Sequence, residues 1–241
     1  MCTITFVPTG SRSFILCSNR DEDPRRTTLA PAVHDRRGTR MIYPKDLQSG
    51  GSWIGSSETQ RTACIMNGAR KPHERTDDYK TSRGVILKEV LTADRLDTFI
   101  KNYDLNGIEP FTMLVVCHKE DLQLFQWTWD GNKYLLELLP TQPMILQSSM
   151  IYSQEEMKRR KGWFETLAQL PQVQPAELWK WHHAEDDLSQ PIATGARWKR
   201  DSLQTVSVTM VEVNGEVQNM HYHDLQTNLY RSVDLIECKT S

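Results

Sequence analysis

The sequence predicts an α+β fold in which antiparallel sheets are stacked with helices on the outside. Three observations carry that expectation. Strand signals occupy both ends and the middle of the chain, two helical blocks separate them, and the two kinds of element do not alternate as a parallel α/β fold requires. No repeat of roughly 20–50 residues and no low-complexity tract is present, so one domain spanning residues 1–241 is expected.

The elements follow in order. Thr3-Ile4-Thr5-Phe6-Val7 alternates threonine with apolar residues, the period-two pattern of a half-buried strand. Pro8-Thr9-Gly10-Ser11 supplies turn chemistry, and Ser13 to Ser18 reads as the second strand of an opening hairpin. Asn19 to Gly51 is polar and rich in Arg, Asp, Pro and Thr, and is expected to be an ordered surface loop. Ser52-Trp53-Ile54-Gly55 and Arg61 to Asn67 form a strand pair. A helix is expected from about Ser82 to Leu91, where Val85, Ile86, Leu87, Val90 and Leu91 recur near helical spacing, and a second over Ala93 to Lys101. Phe111 to Cys117, Leu122 to Trp129 and Tyr134 to Leu139 make a meander with Asp130-Gly131 as one turn. Ser153 and Glu156 form a capping box that opens a helix reaching about Leu170, and Gln174-Pro175 starts another with proline in its first turn. Near the end, TVSVTMVEV and EVQNMHYH flank Asn214-Gly215, the plainest hairpin signal in the chain.

Composition excludes several classes of function. Lys and Arg number 29 against 31 Asp and Glu, a net charge of −2, so the basic excess of a nucleic-acid or anionic-membrane binder is absent. The longest apolar run, Met113 to Cys117, falls far short of the roughly 20 residues that cross a bilayer. The opening segment is broken by Thr, Pro, Gly and Arg and does not read as a signal peptide. Five cysteines (Cys2, Cys17, Cys64, Cys117 and Cys238) are widely spaced without a CxxC, which fits a reducing compartment and a cytoplasmic location. Trp127-x-Trp129 and Trp179-x-Trp181 read as packing or amphipathic surface residues, since no basic residues interleave them as a nucleic-acid platform requires. No phosphate-binding glycine motif, GxSxG or HExxH occurs.

Cys2 carries the most chemistry. Removal of Met1 ahead of so small a residue would place a thiol and a free α-amine on the same residue. That amine, with an ordinary pKa near 7.7, can accept the thiol proton. Asn19-Arg20-Asp21-Glu22 follows the second strand of the hairpin, which returns it beside residue 2. There the Asp21 carboxylate could orient the amine, and the Arg20 guanidinium could stabilise the thiolate and the growing charge on an acyl oxygen. The bland readings are an ordinary small residue at a strand start and a solvated charged turn, because Asp23, Arg25 and Arg26 continue the run. His182-His183 beside Glu185, Asp186 and Asp187 has metal-ligand residue types. Adjacent histidines on a helix point about 100° apart, so a solvated helix end is expected. His221 and His223 share a strand face near Asp224, where two imidazoles could share a metal or simply form a polar face; no metal site is expected.

These residues carry a resemblance. Cys2, a strand, and then SNRDEDPRR resembles the NRDE family, to which the transport and Golgi organisation protein 2 homologues belong. The similarity continues through Gly50-Gly51-Ser52-Trp53-Ile54-Gly55, which looks like that family's GGTWLG element, and through Ala63-Cys64-Ile65-Met66-Asn67, a strand ending in asparagine. Ile108-Glu109-Pro110-Phe111, Ser148-Ser149 and Thr205-Val206-Ser207-Val208-Thr209 look like its bacterial branch. The resemblance implies an N-terminal-nucleophile hydrolase-like αββα sandwich of four layers, akin to the penicillin V acylase and bile salt hydrolase group. Carried over by position, Cys2 is the nucleophile, Asp21 the amine-orienting acid and Asn67 a side-chain oxyanion donor. Two departures stand out: the acylases place their Arg three residues before the Asp, whereas Arg20 adjoins Asp21, and Ser149 falls near the place of a second acylase Asn. Asn19, Trp53 and Ser149 complete the expected set as substrate-binding residues.

Two readings of function compete. In the first, the protein is an amidohydrolase-like enzyme that cleaves a linear amide or related acyl compound and needs no cofactor. In the second, a non-catalytic carrier keeps the pocket and binds haem or an acyl lipid. A structural protein with a relic site is the third. The first requires loss of Met1, which the second does not.

Overall fold

The computed structural model describes residues 3–235 other than Arg75, Asp77, Pro171, Leu188, Pro191, Ile192 and Asp201. Met1 and Cys2 lie outside the described residues. The opening hairpin is β1 (Thr3–Gly10) and β2 (Ser13–Glu22), paired with Thr3 opposite Asn19. Period-two alternation sends Ile4, Phe6, Phe14 and Leu16 into one hydrophobic core and Val7, Ile15 and Cys17 into another on the opposite face. β2 is therefore buried on both faces. That requires an interior strand, and it has two sheet neighbours.

The segment expected to be a surface loop, Asn19 to Gly51, is mostly sheet. β2 continues to Glu22, and β3 (Thr28–Arg36) and β4 (Thr39–Asp46) form a second hairpin. Arg37 at φ 55 and Gly38 at φ 77 supply the left-handed turn between them. Charged residues masked these strands, because β3 is an edge strand whose alternate side chains are exposed. β5 (Ile54–Ser57), β6 (Arg61–Asn67), β7 (Phe111–Cys117), β8 (Gln123–Trp129) and β9 (Tyr134–Leu139) complete this sheet in the order β3-β4-β5-β6-β7-β8-β9.

The other sheet gathers distant strands. β10 (Met144–Gln147) pairs with β1, and β12 (Leu203–Asn214) lies beside β2; β13 (Val217–Asp224) and β14 (Leu229–Asp234) follow it outward, with β11 (Lys199–Arg200) pairing on β12. The predicted β12–β13 hairpin forms, with Gly215 at φ 62 in its turn. β10 and β14 lacked a sequence signal. All strand pairs are antiparallel.

Four helices cover the outer faces among the described residues. α1 (Arg83–Thr92) and α2 (Leu96–Asn102) pack on the β3–β9 sheet, where Leu91 meets Gly55 and Phe99 meets Trp127. α3 (Gln154–Leu167) and α4 (Pro175–His183) cover the other sheet through Phe164, Leu167 and Leu178. The predicted capping box is present, with Ser153 and Glu156 each bonding the other's backbone N–H. The layers are thus helix, sheet, sheet, helix, as expected. A buried polar patch ties the two sheets: Ser56 hydrogen bonds Thr62 at 2.6 Å and also Gln218, while Gln218 Nε2 donates to the Ser57 carbonyl at 3.1 Å.

Candidate active site

The alternation of β2 divides the Asn19-Arg20-Asp21 motif between its two faces. Arg20 points to the inter-sheet side, where it meets Asp46 and Trp53. Asn19 and Asp21 meet residues that include His182 of α4 and Tyr152, just ahead of α3. Asn19 pairs with Thr3, so Arg20 and Asp21 are the next residues of β2 at the end of the hairpin where residue 2 joins the chain.

Asp21 is 1 % exposed and sits in a directed hydrogen-bond chain. The Arg160 guanidinium donates to Thr3 Oγ1 at 3.2 Å, Thr3 Oγ1 donates to Tyr152 Oη at 3.0 Å, and Tyr152 Oη donates to Asp21 Oδ2. Thr205 Oγ1 donates to Asp21 Oδ1 at 2.5 Å from the neighbouring strand β12. Arg160, itself 1 % exposed, stacks over the Tyr152 ring at 3.9 Å. Burial works against its charge, but Tyr152 and Asp21 outweigh that and raise its pKa above the ordinary value.

Beside this chain lies a residue that sequence reading placed elsewhere. His182 is fully buried rather than at a solvated helix end. Its Nδ1 bonds Asn19 Oδ1, which fixes the proton on Nδ1; its Nε2 then accepts from Thr5 Oγ1 at 2.8 Å. Asn19 Nδ2 donates back to the His182 carbonyl at 3.1 Å. Both polar atoms of the Asn19 side chain are thereby engaged with α4. His183 bonds the Trp179 carbonyl at 2.7 Å and His223 at 2.9 Å, and His223 stacks on Tyr230. His221 pairs with Glu212 at 3.2 Å and bonds Ser232.

Two buried imidazoles give the molecule an acid sensitivity with a definite sign. Burial, aided by His183 and Arg160, pushes His182 down to about 3; burial, aided by Arg12, pushes His118 down to about 4. Both stay neutral when folded, whereas the unfolded chain takes up protons below about pH 6.5. The penalty therefore fades out above that pH and grows as pH falls, approaching roughly 1.4 kcal/mol per pH unit for each residue until the folded values are reached. Urea unfolding at pH 6.5 and pH 5 should differ by roughly 3 kcal/mol for the two residues together, mostly above the range where carboxylates titrate. His118→Gln should remove about half of that difference; an undiminished slope would show that His118 is not the source.

On the inter-sheet side, Arg20, Trp53 and Asn67 line one cavity of about 70 Å³. Arg20 Nη2 donates to Asp46 Oδ2 at 2.6 Å, and its guanidinium stacks over Trp53 at 4.7 Å. Burial lowers the Arg20 pKa, opposed by Glu22 and Asp46. Burial alone would raise the Asp46 carboxyl, but hydrogen bonds from Arg26 and Ser49 hold it below the ordinary range. Trp53 is set by its carbonyl, which accepts from Ile65 N at 2.8 Å and prolongs the β5–β6 pairing. The glycines of Gly50-Gly51-Ser52-Trp53 serve the approach of α1: a Cβ on Gly51 would lie 2.8 Å from the Gly84 backbone, and one on Gly84 would lie 2.6 Å from that of Ser52. Only glycines let the first turn of α1 form the cavity wall. Asn67 ends β6, and its carbonyl accepts from Ser148 Oγ at 2.8 Å. Ser149 is not in the lining; its hydroxyl donates to the Ala69 carbonyl at 3.0 Å.

With this geometry in view, comparison with known proteins is informative. The model of the transport and Golgi organisation 2 family matches residues 1–228. The chain belongs to that family. Among solved structures, a variant of the conjugated bile acid hydrolase from Clostridium perfringens is similar at TM-score 0.59 and 8 % identity, over 97 % of this chain and 92 % of that one. Penicillin V acylase from Agrobacterium tumefaciens is similar at TM-score 0.56 and 9 % identity, over 97 % of this chain and 86 % of that one. A search of curated protein sequences finds no match. At such identities the likeness is one of fold, and the fold is the N-terminal-nucleophile hydrolase-like sandwich that the resemblance implied.

In this transport and Golgi organisation 2 family chain, the residues that sequence reading missed are Tyr152, Arg160, His182 and Thr205. None lies near residue 21 in sequence, and His182, noted in its cluster, was expected at a solvated helix end. A partial signal existed for Thr205, which opens a segment noted as family-like, and for Tyr152, which precedes a capping box. Among the described residues no three His, Cys, Asp or Glu side chains gather as a metal site, and no helix is long and apolar enough to cross a membrane.

Proposed function

We propose that this protein is an amidohydrolase that cleaves a small-molecule amide or related acyl compound, with Cys2 as its nucleophile once Met1 is removed. The observation that supports the reading best is the buried Asp21 carboxylate at the end of the β1–β2 hairpin, aimed by Tyr152 and Thr205. In this reading Asp21 holds the α-amine of Cys2, and the amine takes the thiol proton. The thiolate adds to the acyl carbon while Asn67 and a backbone N–H receive the developing oxyanion. Arg20 stabilises negative charge at the thiolate. The C–N bond then breaks, the amine leaves with the transferred proton, and water hydrolyses the thioester to regenerate the thiol. Trp53 borders the substrate. Asn19, its side chain bonded to His182, positions β2 against α4.

The test joins mass and turnover. Intact mass of protein from its native host should show loss of Met1, and iodoacetamide at neutral pH should label Cys2 ahead of the other thiols. Burial supports that contrast, raising Cys17 and holding Cys64 at about 12. A panel of N-acyl compounds should then find turnover that falls by roughly 10³-fold or more in Cys2→Ala. Retained Met1, or a Cys2→Ala variant as active as the parent, would sink this reading. Saturable binding of haem or an acyl lipid by a Met1-bearing chain would replace it with the carrier.

A further inference from the structure

The cavity beside Arg20 presents hydrogen-bond donors that no described residue accepts from. Arg20 is 3 % exposed, and its Nη1 is buried with no hydrogen-bond partner. The Trp53 indole Nε1 is likewise buried and unpartnered. Both residues line the same cavity. A buried donor without an acceptor is costly to keep, so two of them in one 70 Å³ space call for an acceptor that arrives from outside.

The sign of that acceptor follows from a third feature. The wall opposite is the N-terminus of α1, formed by Ser82, Arg83 and Gly84. Its first turn contains no acidic side chain, and Arg83 opens it. The Ser82 hydroxyl caps this end by accepting from Gly84 N at 3.3 Å, and the rest of the helix end's partial positive charge lies at the cavity wall, where it favours a negative group. The two carboxylates in the lining are already engaged. Asp46 accepts from Arg20, Arg26 and Ser49, and Glu22 accepts from Arg26 Nη1 at 3.3 Å. They still set a limit on charge, since a dianion would sit beside both. The space is also far below the roughly 300–1,000 Å³ of a site that encloses a drug-sized ligand. One planar monoanion fits these constraints.

We propose that this cavity is a carboxylate-binding subsite, in which Arg20 and the Trp53 indole donate to a carboxylate that the substrate carries near its scissile amide. The substrate class is then an amide with a free carboxylate, and the rest of the molecule would lie toward the open groove that shares Glu22 and Arg26 with the cavity and reaches Leu203. This rests on the amidohydrolase reading for its substrate, but the subsite itself can be tested without turnover.

The binding arm uses full-length protein carrying Cys2→Ala and follows tryptophan indole N–H resonances during titration with sodium acetate, acetamide and inorganic phosphate. The Trp53 resonance, assigned by its disappearance in Trp53→Phe, should move saturably with acetate on the order of millimolar and hardly with acetamide or phosphate. Trp53→Phe keeps the ring and should weaken acetate about tenfold, read from the loss of acetate protection against thermal unfolding. An unmoved Trp53 resonance, acetamide binding as well as acetate, or phosphate binding more tightly would each overturn the proposal. The turnover arm compares carboxylated amides with their methyl esters. Equal kcat/KM with no acetate shift defeats the subsite and leaves the hydrolase standing. An acetate shift at Trp53 with no amide turned over upholds the subsite and removes the hydrolase.

Discussion

Asp21→Asn should lower amide turnover by about 10³-fold and leave a folded protein. The magnitude is that of an orienting carboxylate placed behind a catalytic base. The variant is nearly isosteric, and the hydroxyls of Tyr152 and Thr205 can each turn to accept from the new NH2 group. What disappears is the charge. Under the proposed mechanism the α-amine of Cys2 would then lack its carboxylate partner and should lose its proton more readily, so the acid limb of the pH–rate profile should move to lower pH. Arg160 also loses the nearest negative charge on its hydrogen-bond chain, for which we expect about 1–3 kcal/mol of stability in urea unfolding. Thr205→Val separates the effects: it removes one donor to Asp21, retains the charge, and should cost turnover far less than Asp21→Asn. Wild-type kcat with an unshifted pH profile in Asp21→Asn would end the assignment of a positioning role to this carboxylate.

Trp127→Ala should give the largest loss of stability, about 3–5 kcal/mol. Trp127 on β8 is fully buried, with its ring edge-on to Phe111 at 5.0 Å, Tyr103 at 6.1 Å and Phe99 at 6.4 Å. These contacts fasten α2 to the β7–β8 region, and β7 in turn pairs with β6, the strand that ends at Asn67. A domain with about 5–15 kcal/mol in hand would become marginal. Trp127→Phe should cost less than about 1.5 kcal/mol, because it keeps an aromatic ring in place and removes an indole N–H that has no partner. Urea midpoints for the two variants decide the matter; a loss under 1 kcal/mol in Trp127→Ala would mean that α2 is held elsewhere.

Local chemistry made much of this architecture legible. The Thr-Ile-Thr-Phe-Val alternation, the Ser153–Glu156 capping box and the β12–β13 hairpin signal each act over fewer than about ten residues, and each formed. The glycines at 51 and 55 were visible as a motif, while their reason, close approach by α1 and by Leu91, was not. Edge strand β3 was hidden because its exposed side chains read as loop, and β10 because its four half-buried residues carry no alternation. His182 shows the same limit in a single residue: a histidine at a helix end reads as solvated until β1 and β2 supply Thr5 and Asn19 as its partners.

From residues 19–21 the chain alone determined that a carboxylate and a guanidinium return beside the start of β1, because a hairpin closes over short distances. Which face each one serves, and what meets it there, was decided only by folding. Tyr152, Thr205 and His182 reach this strand from sequence separations of 131, 184 and 163 residues. Such contacts leave no periodic trace, since they depend on sheet order and on helices packed across it. The cavity is of the same kind. Arg20 comes from one sheet, Trp53 from the lead-in to the other and Gly84 from a helix, and the unused donors exist only where the three surfaces meet.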